Sequence, residues 1–322
     1  MKLFRRMLLI FLIATLMVIT LGVIAFAWVS LSTINNIDGI GLTASAGDDL
    51  QISVDGINFY NSLPSTAITD IFGDINLYDV TTTDNVYFER GGLNRGVPAV
   101  ENLHYLSFDL WIQTSRPERS VYLYNNVSNS VNYYNPTPGT FVVSRGVYWM
   151  ANVTFSNGPD PEDVVTRGSI NQYYSAHAIR IGIRELIDDL NPNDQRNPEL
   201  LANLIFDPQE DPSRGFGQPY GAFSHFFQRA RIFMALPTVF PNTQYKLTQL
   251  DPNNPYQALD NNSLITTLQP TDMIDDRGRV IHQGKVRVNI WVEGWDADAF
   301  DAIENDPVKI QLQFKLANRF EN

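Results

Sequence analysis

Residues 308–316 read VKIQLQFKL, and residues 285–292 read KVRVNIWV. In both stretches apolar and polar residues alternate, which is the period of a β-strand with one buried face and one face toward water. Two such strands close together near the C-terminus predict a sheet rather than a helical bundle.

Shorter stretches of similar character precede these two strands. They are residues 42–46, 50–54, 105–112, 121–124, 139–144, 147–155 and 176–183. Clusters of Asn, Pro and Gly separate them, and Asp55-Gly56 is a strong turn signal. Many short strands with turns between them predict an all-β fold, an antiparallel sandwich or barrel. The aromatic residues expected in or near its core are Phe108, Trp111, Trp291 and Phe314.

Residues 185–270 interrupt this pattern. Asn197 as N-cap, Pro198 in the first helical position and Glu199 in the first turn predict a short helix over 198–206. A second short helix, capped by Asp296, is predicted near 297–304. We interpret 185–270 as a decorated insertion between strands, so that residues 41–322 form one β-sandwich ectodomain.

The N-terminal 29 residues have a different character. Lys2, Arg5 and Arg6 precede the uncharged run MLLIFLIATLMVITLGVIAFAWV at 7–29. A helix of that length spans the roughly 30 Å of a hydrocarbon core. Because the positive flank stays cytoplasmic, the residues after Val29 are predicted to lie outside the cytoplasmic membrane. The predicted location is its outer face, the cell surface or the medium.

Two alternatives remain for this segment. Ala25-Phe26-Ala27 has the A-x-A form of a signal-peptidase site, which favours a cleaved export signal. The apolar run from Met7 to Ile24 exceeds the roughly 7–15 residues of a signal peptide's apolar region, which favours a retained single-span anchor. If the segment is retained, its helix anchors the protein in the membrane, and the membrane is then a predicted partner.

Composition excludes several classes of function. The net charge is −12, and three of the 23 basic residues precede the apolar run, so the exported part is more acidic still. Such a charge repels nucleic acid. The chain has no cysteine, which excludes thiolate catalysis, cysteine-ligated zinc and a thiol redox role.

Catalytic motifs are missing as well. The sequence contains no G-x-S-x-G, no H-E-x-x-H and no complete phosphate-binding loop. The histidines are scattered singly, at His104, His177, His225 and His282. We therefore predict no catalytic residues and no organic cofactor, and we interpret the chain as a non-enzymatic protein.

Two groups of residues are candidates for binding. An acidic group could hold calcium, a cation that prefers several oxygen ligands, and its members are Asp296, Asp298, Asp301 and Glu304. Its spacing does not fit an EF-hand loop, and helix capping on an acidic surface is the alternative interpretation. A second group of tyrosines would suit a carbohydrate or other ligand if exposed, and its members are Tyr133, Tyr134, Tyr173 and Tyr174.

A family resemblance adds to this. Ala25-Phe26-Ala27-Trp28, followed by Leu42-Thr43-Ala44 and Leu50-Gln51-Ile52-Ser53, resembles the start of the camelysin/TasA-like exported proteins of Bacillota and related bacteria. Strands 105–112 and 176–183 and the ending 291–296 resemble surface proteins of similar architecture. The resemblance implies a dedicated signal peptidase, a jelly-roll β-sandwich and, in several members, assembly into extracellular matrix fibres. It carries over no catalytic residue.

The resulting hypothesis is an exported surface or matrix protein that forms a homopolymer by strand addition. An extended segment of one subunit can complete the sheet of its neighbour through main-chain hydrogen bonds. The juxtamembrane segment 30–40, with the two residues before it, suits this role, and its predicted contact residues are Trp28, Val29, Leu31, Thr33 and Ile37. A plain spacer, or a strand within its own subunit, is the alternative. A secreted or membrane-tethered carbohydrate- or ligand-binding module and a hydrolase using loop carboxylates are the other functions considered.

Overall fold

The computed structural model describes residues 50–63 and 77–321, the backbone of residues 41–46, and the isolated positions Arg6 and Thr15. The strands in chain order are β1 (Gly41–Ala46), β2 (Gln51–Ser53), β3 (Ser62–Leu63), β4 (Asp79–Thr81), β5 (Glu89–Arg90), β6 (Leu106–Thr114), β7 (Ser120–Leu123), β8 (Phe141–Ser144), β9 (Val147–Met150), β10 (Phe155–Ser156), β11 (Val164–Val165), β12 (Ile170–Tyr173), β13 (Ile179–Leu186), β14 (Asn203–Phe206), β15 (Thr243–Gln244), β16 (Leu250–Asp251), β17 (Asn254–Ala258), β18 (Leu264–Thr267), β19 (Gln269–Ile274), β20 (Val280–Glu293) and β21 (Val308–Ala317). The helices are α1 (Ala222–Ala230) and short 3-10 helices at Gly92–Asn94, Ser175–Ala178, Pro198–Leu200 and Asp301–Ile303.

The two longest strands each organise a sheet. In the first sheet the order is β18-β7-β21-β1-β3, with β8 also paired to β21. In the second the order is β15-β14-β13-β20-β4-β5, and β6 and β19 also pair with β20 while β2 pairs with β6. β20 lies antiparallel to both β13 and β6. The strands predicted at 285–292 and 308–316 are therefore confirmed, and the structure places each of them inside its sheet.

The core lies between the two sheets. Along β21 the residues Val308, Ile310, Leu312, Phe314 and Leu316 are buried, and the residues between them from Lys309 to Lys315 are partly exposed. They share one apolar cluster with Val286, Val288, Ile290 and Val292 of β20. Burying a side chain of this size contributes about 1.5–3 kcal/mol. The predicted all-β class is confirmed, and all four predicted aromatic residues, Phe108, Trp111, Trp291 and Phe314, are buried.

The second sheet is also covered on its outer face, which explains why alternation fades toward the end of β20. Trp291 points away from the main core and packs edge-on against Phe88, with ring centroids 5.4 Å apart, and Phe88 stacks on Tyr105. The side chain of Asn85 accepts a hydrogen bond from Asn289 at 2.9 Å. Gly182 permits this approach because a Cβ there would lie 2.1 Å from Oδ1 of Asn85.

The structure corrects two helix predictions. Asn197 does accept a hydrogen bond from the amide of Glu199, but the helix ends at Leu200, and residues 203–206 form β14 instead. Leu204, Ile205 and Phe206 are all buried, and a short continuous apolar run does not distinguish a buried strand from a helix. Near 297–304 only Asp301–Ile303 is helical, with Phe300 rather than Asp296 in the N-cap position. Helix α1 was not predicted.

The antiparallel prediction also needs a correction. Most pairs are antiparallel, but β1 with β21, β14 with β15 and β20 with β4 are parallel. Parallel pairing requires a long connection, and β1 and β21 are joined by most of the chain.

Strands β14 and β18, within the predicted insertion at 185–270, belong to the two main sheets.

The predictions for the N-terminus fall outside the described residues. The structure does not describe the predicted signal or anchor at 1–29, except for the positions Arg6 and Thr15. It does not describe the juxtamembrane segment 30–40 either. In the part of the chain that the structure describes, no helix has the length and apolar composition needed to cross a bilayer.

Candidate functional site

The four acidic residues predicted to bind calcium are not brought together. Asp298 makes a two-pronged contact with Arg214, with Nε 2.9 Å from Oδ2, while Asp301 pairs with Arg229. Asp296 pairs with Arg180, and Glu304 is exposed to water. Within the described ranges, no group of three or more His, Asp or Glu residues is arranged to hold a metal ion. Each of the three aspartates has an arginine as its counterion.

One of these ion pairs belongs to a buried charged cluster, which we define as Arg180, Asp207, Glu293 and Asp296. Nη2 of Arg180 lies 2.8 Å from Oδ2 of Asp207 and also contacts Asp296. Nη1 donates to the carbonyl oxygens of residues 177 and 179. Every member is at most 2 % exposed, and the cluster joins the start of β13 to the residues that follow β14 and β20.

Charge balance within the buried cluster affects its protonation. Burial raises the pKa of Glu293 to about 7, although its oxygens accept hydrogen bonds from Nε1 of Trp291 and the amide of Trp295. Burial also raises the pKa of Asp207 and of Asp296, and the guanidinium of Arg180 opposes this rise. One arginine therefore faces three buried carboxyl groups whose pKa values are all raised, and the value for Glu293 brings its proton uptake close to neutral pH.

The tyrosines give a different result. Tyr133, Tyr134 and Tyr174 line one open groove with a volume of about 330 Å³. We call it the tyrosine groove, and its polar lining includes Asn129, Asn132, Arg145, His177 and Gln209. Tyr134 is 75 % exposed, as a ligand-contacting ring requires. Tyr173 is not part of the groove, since its ring packs edge-on against Phe300 with centroids 5.1 Å apart.

Both walls of the tyrosine groove are held in place. On one side Nζ of Lys309 donates to the carbonyl oxygen of Tyr133 at 2.9 Å and lies 4.5 Å from the centre of its ring. On the other side the buried carboxylate of Asp306 accepts from the amide of Gly146 and from the amide and hydroxyl of Ser175. Asp306 thereby connects the backbone at Gly146, which follows Arg145, to the backbone at Ser175, which follows Tyr174.

Replacing this carboxylate should loosen one wall of the groove. We expect Asp306→Ala to lower the free energy of unfolding by about 2 kcal/mol, because the amide of Gly146 and the buried donors of Ser175 lose their acceptor. Urea unfolding of the purified protein measures the change. The matched control is Asp276→Ala, at an exposed position, which should change stability by less than about 0.5 kcal/mol. Equal stability of the two variants would contradict the role assigned to Asp306.

Sequence reasoning missed several of these residues. The partners of the acidic group are distant in sequence, and no spacing rule connects Arg180 or Arg214 to residues 296–301. A basic residue inside the alternating run IRIGIREL was the available signal for Arg180. The predicted assembly residues Trp28, Val29, Leu31, Thr33 and Ile37 lie outside the described residues, so their role stays a prediction.

Comparison with known proteins adds no assignment to this geometry. No family model matches the chain, and no curated protein and no solved structure matches it either.

Proposed function

We propose that the protein is a non-enzymatic, exported cell-surface or extracellular-matrix protein, built as a jelly-roll-like β-sandwich, that assembles into fibres by strand addition. The N-terminal apolar segment directs it through the cytoplasmic membrane and either tethers it there or is removed after Ala27. The acidic surface keeps the exported part soluble and repels nucleic acid.

The observation that supports assembly is the position of β1. This strand directly follows the juxtamembrane segment and pairs with β21 along its whole length, from Gly41 opposite Lys309 to Ala46 opposite Phe314. On its other side the described pairing with β3 involves only Ala44 and Ser45. The juxtamembrane segment thus leads directly into β1. In the described ranges only two residues of β1 are paired on the edge away from β21. Such an edge can accept an extended segment from a neighbour.

Processing would then control assembly. A segment 28–40 released by cleavage after Ala27 can reach a neighbouring subunit, whereas a retained anchor holds it at the membrane. Val29, Leu31 and Thr33 occupy alternate positions, so in an added strand their side chains would lie on one face and point toward the core of the accepting subunit. Electron microscopy of protein that begins at Trp28, compared with the full chain, tests this link directly.

Deleting residues 28–40 from the processed protein should abolish fibre formation, because the donated segment is removed while β1 and the sandwich remain. Light scattering and electron microscopy over time measure polymerisation. A finer test replaces Val29 and Leu31 with Ser, and its matched control replaces Ser30 and Ser32 with Ala on the opposite face. Fibres that form at the normal rate without residues 28–40 would refute the mechanism.

A further inference from the structure

The tyrosine groove differs in charge from the rest of this acidic protein. None of its lining residues is Asp or Glu, although the chain has 35 of them. The larger groove of about 760 Å³ on the sandwich, by contrast, has both acidic and basic residues in its lining, namely Glu185, Asp260, Arg196 and Arg319. The tyrosine groove has Arg145 in one wall instead, and Lys309 lies against the ring of Tyr133 on the other.

We propose that the tyrosine groove binds an acidic saccharide, a chain of pyranose rings that carry carboxylate groups. A pyranose has an apolar C–H face and a rim of hydroxyl groups, so it fits a site that combines aromatic rings with a few polar side chains. The rings of Tyr133 and Tyr134 stand at 88° to each other with centroids 5.2 Å apart, and form an aromatic corner. The amides of Asn129, Asn132 and Gln209 supply donors and acceptors for hydroxyl groups.

The aromatic corner is ordered before any ligand arrives. The amide of Tyr134 donates to Oδ1 of Asn132 at 2.8 Å, and Lys309 fixes the carbonyl group of Tyr133. Asn129 donates to the carbonyl oxygen of Gln209 at 3.1 Å, which ties the loop to the opposite wall. A preorganised site loses less conformational entropy when a ligand binds.

Arg145 gives the charge preference. Its side chain is exposed, and in the described ranges its guanidinium has no ion pair and no hydrogen bond. A guanidinium presents a planar pair of N–H donors that matches a carboxylate. Two carboxylates lie near this wall and both have partners: Asp298, 3.9 Å from Nδ1 of His177, is paired with Arg214, and the buried Asp306 accepts hydrogen bonds from Gly146 and Ser175. The position therefore attracts an anionic ligand on a surface that otherwise repels anions.

The test is calorimetric titration of the full-length chain, purified in a mild detergent, with oligogalacturonate and with a neutral malto-oligosaccharide of equal length. We expect binding of oligogalacturonate that weakens at high salt, and at least tenfold weaker binding of the neutral chain. Arg145→Gln should weaken oligogalacturonate binding about tenfold, and Tyr134→Ala about three- to tenfold. The charge reversal Arg145→Glu should abolish it.

Matched controls use exposed residues that do not line the tyrosine groove. Tyr148→Ala replaces a tyrosine that is 73 % exposed, and Arg167→Gln replaces an exposed arginine. Both should bind oligogalacturonate like the unchanged protein, and so should the chain without residues 28–40, because this site is independent of assembly. The proposal is wrong if oligogalacturonate does not bind, if Tyr134→Ala and Arg145→Gln bind like the controls, or if the neutral chain binds equally well.

Discussion

Arg180→Met is expected to lower the free energy of unfolding by about 3–5 kcal/mol, the largest effect of any single change considered for this protein. The substitution removes the cation of the buried charged cluster and leaves Asp207 and Asp296 in a site that is almost closed to water. Methionine fills a similar volume, so a cavity accounts for little of the loss. Urea unfolding followed by tryptophan fluorescence measures it, since Trp291 lies beside the buried charged cluster.

The pH dependence separates a charge effect from poor packing. Without Arg180, the pKa values of both aspartates rise further above their unfolded values. A carboxyl group with a raised folded-state pKa destabilises the protein at high pH, and this penalty declines as the group takes up a proton. The deficit of Arg180→Met relative to the unchanged protein should therefore be larger at pH 8 than at pH 5. A deficit that is equal at both values would indicate a packing defect instead.

Two further variants complete this experiment. Arg277→Met, at an exposed position, is the matched control and should change stability by less than about 0.5 kcal/mol. Adding Asp207→Asn and Asp296→Asn to Arg180→Met should restore part of the loss, because the two carboxylates that Arg180 contacts are then replaced by neutral amides. No recovery in the triple variant would contradict the assignment of the loss to unpaired carboxylates.

The behaviour of the strands shows which features the sequence could predict. From Val308 to Leu316 one face is buried and the other meets water, so alternation gave β21 almost to the residue. In β20 the alternation fails at Trp291 because the layer with Phe88 and Tyr105 covers its outer face. A run such as Leu204, Ile205 and Phe206, buried throughout, carries no period at all. Local pattern is informative only where one face is exposed.

The candidate sites depend on contacts that no local pattern contains. The sequence shows the acidic group at 296–304, but it does not show the partners of these carboxylates. The three arginines come from strand β13, from a loop and from α1. The tyrosine groove was anticipated in part, because Tyr133, Tyr134 and Tyr174 were chosen as exposed aromatics. Arg145 was missed, because its place in the tyrosine groove depends on the pairing of β8 with β21. That pairing joins segments that are distant in the sequence.

The second large effect concerns His225 on α1, which should make the protein lose stability as the pH falls. The ring is 2 % exposed and is surrounded by Trp149, Phe155 and Phe300, with centroids 5.1–5.5 Å away. Burial, to which the positive charge of Arg229 adds, lowers the pKa of His225 to about 4. Nε2 lies 3.0 Å from Oδ1 of Asn152, a contact that suits the neutral ring as donor.

The sign follows from comparing folded and unfolded states. An unfolded histidine takes up a proton near pH 6.5, whereas the folded protein resists this until about pH 4. The stabilisation is therefore complete above pH 6.5 and is lost as the pH falls toward 4, by about 2 kcal/mol at pH 5. Burial also lowers the pKa of His104, His177 and His282, so the unchanged protein alone does not isolate this residue.

His225→Phe isolates it, because phenylalanine keeps an aromatic ring among its three neighbours but cannot titrate. The lost hydrogen bond to Asn152 lowers the stability of this variant by a similar amount at every pH. The advantage of the unchanged protein over the variant should shrink by about 2 kcal/mol between pH 7.5 and pH 5, measured by urea unfolding. His104→Phe, whose ring is partly exposed, should show a smaller change. Curves for His225→Phe and the unchanged protein that stay parallel over this range would show that the buried ring does not resist protonation.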